Sequence, residues 1–333
     1  MSTHSKYDLI AIGDVTTDAF IQLSTATVRT DPKSKELTLT IPFANKIPYD
    51  GLKVVPAVGN SSNVAVGLSR LGFKTAILTG IGDDHYGQEI LDHYDKEKVA
   101  KELVKINPGI PTNYHFVLTY DAERTILVRH EKFQYYPVES IGDVDWIYFS
   151  SIGEHALDIH NELAKYLENH PNIKMGFNPG TFQMKLGAEK LSQIYKKTHV
   201  LFVNREEAEH ILETEETDIK ILFQRLHLLG PKIIAITDGP KAAYASDGSK
   251  QYKTIPYPDS KKPISRTGAG DAFATGFMAG LMSGLSVPEA LVWGPIESMN
   301  VVQAFGAQTN LLSKEQLLDY LAKAPAEYRA IEF

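Results

Sequence analysis

The run Thr267-Gly268-Ala269-Gly270-Asp271-Ala272-Phe273, followed by Thr275-Gly276-Phe277 and Gly280, puts a carboxylate in the first turn of a helix that begins with almost no side-chain bulk. Backbone N–H groups of Gly268, Ala269 and Gly270 can point together at an anion, helped by the positive end of the helix dipole. A carboxylate beside an anion hole is repelled by whatever the hole binds, so it must do a job there. Taking a proton from an attacking hydroxyl is such a job. The same residues also describe an Asp at a helix start with glycines for tight packing.

Other polar groups fall at element ends. Ala57-Val58-Gly59-Asn60-Ser61-Ser62-Asn63 runs into Val64-Ala65-Val66-Gly67. Gly59 permits close approach of a ligand to the backbone, and Asn63 offers a donor and an acceptor near a helix start. Ser61 or Ser62 alternatively caps that helix. In Gly13-Asp14-Val15-Thr16-Thr17-Asp18 a carboxylate after a strand either binds two sugar hydroxyls or caps a turn. Asn204 and Glu207, three apart on a first helical turn, can hold a hydrated magnesium through water. They equally make an acidic N-terminus that complements the dipole. Thr237-Asp238-Gly239 closes a further strand, where it can meet phosphate oxygens.

These residues need a scaffold. Tyr7–Ile12, Thr75–Thr79, Trp146–Phe149, Ile173–Phe177, Val200–Val203 and Ile233–Thr237 read as buried strands. Ser61–Leu71, His85–Lys96, Ala156–Glu168, Glu206–Leu212, Asp218–Leu229 and Ala269–Ser283 read as helices. The alternation predicts an α/β fold with a mainly parallel sheet and helices on both faces, its ligands at the carboxyl ends of the strands. Two segments break the rhythm. Residues 19–47 alternate around Leu37–Ile41, with Asp31-Pro32-Lys33-Ser34 as a turn. Asn113–Tyr120 and Thr125–Arg129 flank Asp121-Ala122-Glu123-Arg124 as a hairpin. Both read as inserted antiparallel strands, a lid over the site within a single domain spanning 1–333.

Composition narrows the field. The 333 residues are 43% hydrophobic and 23% charged, with 34 basic against 41 acidic residues and a net charge of −7. That disfavours general binding to nucleic acid or an anionic membrane. The absence of cysteine excludes disulfides, thiol catalysis and Cys-type metal sites. Met1 to Lys6 leads straight into a short apolar run, too short for a signal-peptide core, and no stretch approaches a membrane span. A cytoplasmic location is the expectation. The phosphate-loop pattern, the dinucleotide fingerprint, H-E-x-x-H and the nucleophile elbow are all missing. The 11 histidines lack ligand spacing and are read as surface or core residues.

In this order the pieces resemble the ribokinase family of carbohydrate kinases, the phosphofructokinase B type. The anchors are Gly59-Asn60-Ser61-Ser62-Asn63 with Gly67, Gly72 and Gly82, then Asn204-x-x-Glu207, then Gly268-Ala269-Gly270-Asp271. The resemblance implies a three-layer α/β/α fold with a β-sheet lid, moving the γ-phosphoryl of ATP to a hydroxyl with Mg2+. It implies Asp271 as general base, with Gly268, Ala269 and Gly270 as its anion hole. Asp18, Gly59 and Asn63 then match substrate contacts, and Asn204 and Glu207 the magnesium and phosphate network. Thr237 and Gly239 match the triphosphate, Asn178 a residue near the phosphates, and Gly306 the adenine loop. The family usually has Asp-Thr where this chain has Ser265-Arg266. The expectation is a weakened monovalent-cation site, with Arg266 supplying charge instead. Val58, where the family often has glycine, adds bulk near the substrate. The acceptor is expected to be a small sugar. A nucleoside, stacked on Tyr114, Phe116, Phe133, Tyr135 and Tyr136, is the alternative, and a non-catalytic sugar-binding protein a further one. Exposed lid strands suggest a homodimer.

Overall fold

Apolar residues at consecutive strand positions fill two cores. In the computed structural model, which describes residues 6–32, 36–121, 123–259 and 261–333, Leu9 and Ala11 pack on one side of the sheet and Ile10 and Ile12 on the other. Tyr148 and Phe202 join the first core, and Phe149 and Leu201 the second. This two-sided burial is why the strands read as unbroken apolar runs.

Among the described residues the strands are β1 (Tyr7–Ile12), β2 (Thr16–Leu23), β3 (Thr27–Thr30), β4 (Leu37–Thr40), β5 (Tyr49–Val58), β6 (Thr75–Gly82), β7 (Val104–Asn107) and β8 (Tyr114–Tyr120). They continue with β9 (Glu123–Leu127), β10 (Val144–Phe149), β11 (Lys174–Phe177), β12 (Val200–Asn204), β13 (Ile233–Thr237), β14 (Ala243–Ser246), β15 (Gln251–Thr254) and β16 (Ile331–Glu332). The helices are α1 (Asn60–Arg70), α2 (His85–Glu97), α3 (Leu157–Asn169), α4 (Thr181–Lys190), α5 (Ser192–Lys197) and α6 (Arg205–Ile211). They are followed by α7 (Ile219–Leu228), α8 (Ala269–Met282), α9 (Val287–Leu291), α10 (Trp293–Val301) and α11 (Lys314–Lys323).

The main sheet runs β16-β15-β14-β13-β12-β11-β10-β1-β6-β7. From β13 to β7 every pair is parallel, and only β14 to β16 are antiparallel. The chain leaves β1 in one direction to β6 and later returns to β10 on its other side. Ligands are expected at such a switch point.

A second sheet, β5-β2-β8-β9, stands apart from the first. Two expectations are corrected here. This sheet is not wholly antiparallel, because β2 and β8 run parallel. Residues 19–47 do not supply it alone: β3 and β4 form a separate two-stranded ribbon, and the long β5 is the missing partner of β2. Lys33, Ser34 and Ala122 of the expected turns, and Met1 to Ser5, lie outside the described residues.

The chain's crossings between the two sheets converge on Asn113. Its backbone carbonyl accepts from Thr17 N at 3.0 Å and Thr16 Oγ1 at 3.1 Å. Its side chain donates to Val15 O at 3.2 Å and accepts from Glu131 N at 2.8 Å. Thr16 also pairs with Val58 at the end of β5.

One buried acid sits away from the strand ends. Glu297 in α10 is 0% exposed and accepts a hydrogen bond from Leu312 N at 3.3 Å. Burial pushes its carboxyl up to about 8, opposed by that bond and by the Arg70 charge. A raised carboxyl pKa means the folded state holds the proton more tightly than the unfolded chain. Its stabilising effect is whole below the unfolded pKa and is lost as pH climbs through the folded one. Glu297→Gln should therefore raise the unfolding free energy by roughly 2–4 kcal/mol near pH 9 and change it little near pH 5. Denaturant melts at the two pH values check this, and an equal change at both would contradict it.

Candidate active site

The carboxyl ends of β1, β11, β12 and β13, the start of α1, the start of α8 and one face of the small sheet enclose a cleft of about 770 Å³. Asp271 sits at its centre, 8% exposed. Asn60 Nδ2 donates to one carboxylate oxygen at 2.8 Å and Asn63 Nδ2 to the other at 2.7 Å. Asn60 and Asn63 are three apart and so share one face of α1. Burial pushes the Asp271 carboxyl above the ordinary range, while these two amides and the Arg124 charge pull it back.

Helix α8 begins beside that carboxylate with Gly268 as its N-cap, at φ 80°, and without a side-chain cap. First-turn N–H groups have no partner inside a helix; here Ala269 N turns back to Arg266 O at 3.3 Å, and the uncapped start leaves those that follow it to face the cleft. Gly268 must be glycine for space as well as for φ: a Cβ there would lie 2.4 Å from Ala307 Cβ. Around Gly270 there is open space.

Toward the small sheet the cleft is lined by Asp18, Phe20, His115, Arg124, Ile126 and His130. Asp18 lies within β2 rather than in a loop after β1, because β2 starts at Thr16. It pairs across the parallel ladder with His115, whose Nδ1 is 3.5 Å from Asp18 Oδ1. That oxygen is buried and carries no hydrogen bond beyond this approach of the imidazole. Asp14 is different: its oxygens accept from Tyr135 Oη at 2.6 Å and Gly153 N at 2.8 Å. His115 and His130 correct the reading of every histidine as surface or core, since both line the cleft.

At the other end, Asn204 and Thr237 are register partners at the tips of β12 and β13. Asn204 accepts from Glu207 N at 2.8 Å, and Glu207 accepts from Asn204 N at 2.9 Å, a capping box that starts α6. Burial raises the Glu207 carboxyl, the Asn204 N–H lowers it, and the Asp271 charge raises it further. Arg205 binds Asp238 at 3.1 Å and Glu209 at 2.6 Å, fastening this loop to the one that carries Gly239. Asn178 donates to Phe202 O at 2.9 Å and accepts from Asn60 at 3.3 Å. Among the described residues no three or more Asp, Glu, His or Cys side chains gather as a metal cage.

The cleft thus brings together Asp18, Gly59, Asn63, Asn178, Asn204, Glu207, Thr237, Gly239, Gly268, Ala269, Gly270 and Asp271. Val58 and Arg266 line it too. Gly306 does not; its neighbour Ala307 does. Neither Ser61 nor Ser62 caps α1, whose N-cap is Gly59 with φ 126°. A Cβ at Gly59 would meet Asp14 O at 2.6 Å, so the close approach there is between two backbone segments. None of Tyr114, Phe116, Phe133, Tyr135 and Tyr136 lines the cleft. Asn60 was missed as a ligand of Asp271, though its spacing from Asn63 carried the signal.

A carboxylate held by two amides beside a bare helix start, at the switch point of a doubly wound sheet, defines a phosphotransferase of the ribokinase-like fold. The family model for the pfkB family of carbohydrate kinases matches residues 54–314, and the chain belongs to that family. It is 27% identical over 252 residues to an uncharacterized sugar kinase of Archaeoglobus fulgidus, covering 74% of this chain and 98% of that one. It is 26% identical over 306 residues to the ribokinase of Bacillus subtilis, covering 87% and 93%. The structure of Arabidopsis thaliana ribokinase complexed with ribose and ATP superposes with a TM-score of 0.76 at 19% identity, covering 95% and 98%. Among the described residues no helix is long and apolar enough to cross a membrane.

Proposed function

We propose that the chain moves the γ-phosphoryl group of ATP to a hydroxyl of a small sugar, with Asp271 as general base. The observation that carries this is the position of Asp271: in the first turn of α8, held by two amides, it lines the same cleft as Asp18 and the glycines of that helix start. The acceptor hydroxyl gives its proton to an Asp271 oxygen as its own oxygen bonds to the γ-phosphorus. The bond from that phosphorus to the β–γ bridging oxygen breaks, and ADP leaves. The α8 N–H groups face the charge spread over the transferring oxygens. Asn178, Asn204, Thr237 and Gly239 hold the triphosphate. The small sheet acts as a lid that keeps water from competing for the phosphoryl group.

The donor set suits magnesium held mainly by phosphates and water, as this ion prefers. Glu207, with one oxygen already on Asn204 N, would hold it through water. When bound, the ion neutralises phosphate charge.

In place of the family's Asp-Thr, Arg266 lines the cleft and its Nη1 reaches Glu123 Oε1 of β9 at 3.2 Å. Turnover is therefore expected to stay flat as potassium replaces a bulky organic cation at constant ionic strength; saturable activation of several-fold would contradict this.

A sugar is taken as the acceptor and a nucleoside as the alternative: the five aromatic residues expected to stack a base do not line the cleft, whereas Phe20 and Phe182 do. An ADP-release screen across ribose, fructose, phosphorylated hexoses and nucleosides tests the reading. Turnover with an uncharged sugar supports it, whereas turnover with nucleosides alone replaces it.

A further inference from the structure

Behind Asp271 the structure holds a buried line of amides. Gln308 is 3% exposed and Asn63 is 5% exposed. Gln308 Nε2 contacts two oxygens, the Ala57 carbonyl at 2.7 Å and Asn63 Oδ1 at 3.0 Å. A backbone carbonyl can only accept, so the Gln308 group beside it must be its NH2. The Asn63 atom facing that NH2 must then be oxygen, which leaves the Asn63 NH2 for the Asp271 carboxylate, 2.7 Å away. At the far end Gln308 Oε1 faces His93 Nε2 at 2.8 Å. The backbone of Gln308 is pinned as well: Arg70 Nη1 donates to its carbonyl at 2.6 Å, while Glu97 takes Arg70 Nε and Nη2 at 2.8 Å each. Donation runs one way, from His93 through Gln308 and Asn63 to Asp271.

We propose that Gln308 is a positioning residue for phosphoryl transfer: it fixes the orientation of Asn63, so that the Asn63 NH2, and not its carbonyl, always faces Asp271. The inference rests on the reading of Asp271 as the base. Its physical content is a bias between protonation states. A protonated Asp271 would be stabilised if Asn63 turned its carbonyl to accept the proton. That turn would place the Asn63 NH2 against the Gln308 NH2, donor against donor, so Gln308 disfavours the protonated form and keeps the base ready. The other charged or titratable groups that act on Asp271 are Arg124 of β9, Glu207 of α6 and Tyr148 of β10, and none belongs to this line.

The test is the titration of the Asp271 carboxyl itself, followed by carbon-13 NMR in the ligand-free, aspartate-labelled full chain. Asp271→Asn assigns the signal. Gln308→Met preserves volume and removes the donor, and Gln308→Leu removes it with a second uncharged side chain. Both are expected to raise the Asp271 midpoint by about one pH unit, the scale of one hydrogen bond to a charged group. Adding Gln308→Met to Asn63→Ala is expected to change nothing further, because Gln308 acts only through Asn63. An unchanged midpoint in either variant that melts cooperatively overturns the proposal, and so does an undiminished shift on the Asn63→Ala background. Should one variant not fold, the other decides. If Asp271→Asn keeps normal turnover, the base assignment fails, whereas the titration still reports on Gln308 by itself.

Discussion

Asp271→Asn should lower turnover by roughly 10²–10⁴-fold, the contribution of a well-placed general base, while ATP still binds. The loss has two sources. The amide cannot take the proton, and its own NH2 must face either Asn60 or Asn63, both of which donate to the carboxylate in the native cleft. The pH profile gives an independent reading. Burial raises the Asp271 carboxyl and the base must be ionised, so wild-type activity should fall as pH drops through a midpoint above the usual carboxylate range. The residual activity of the variant should lack that limb. Steady-state rates across pH, with nucleotide affinity by calorimetry, check both points. Near-normal turnover would remove Asp271 from its role.

The second large effect is expected at the start of α8. Gly268→Val adds a branched Cβ at φ 80°, where a single Cβ already lies 2.4 Å from Ala307 Cβ and 2.6 Å from its Cα. The strain is relieved only by moving the first turn of the helix away from Ala307, which re-aims the N–H groups. Loss of such donors costs on the order of 10²–10³ in kcat. Steady-state rates on protein that melts cooperatively check this; a folded Gly268→Val variant with wild-type kcat would show that the geometry of this turn does not matter to catalysis.

Much of this arrangement is legible in the residues. The central strands are apolar at consecutive positions and α8 opens on a glycine-rich run, so β1, β12, β13 and α8 stand where expected, within a residue or a few. The start of α8 is legible because only glycine serves at the positive φ of Gly268 with Ala307 so close. The small sheet is less so. Its strand β5 contains Gly51 and Pro56 and exposes Leu52 and Val54, so it lacks the clean alternation that marks a half-buried strand. The parallel pairing of β2 with β8 joins segments some hundred positions apart, which local pattern cannot reveal. Gln308 was invisible for the same reason: nothing near it in the chain announces a contact with Asn63, and only the return of the chain after α10 brings the two together.

The knot of bonds at Asn113 makes the small sheet a lever whose fulcrum lies beside the cleft. Asp18 and His115 sit on its short arm, roughly 7 Å out at ~3.3 Å per residue, while Arg124, opposite Thr119, rides about 20 Å out on the long one. Were the sheet to turn as a rigid body about that knot, Arg124 would travel roughly three times as far as Asp18, by the ratio of those two lengths.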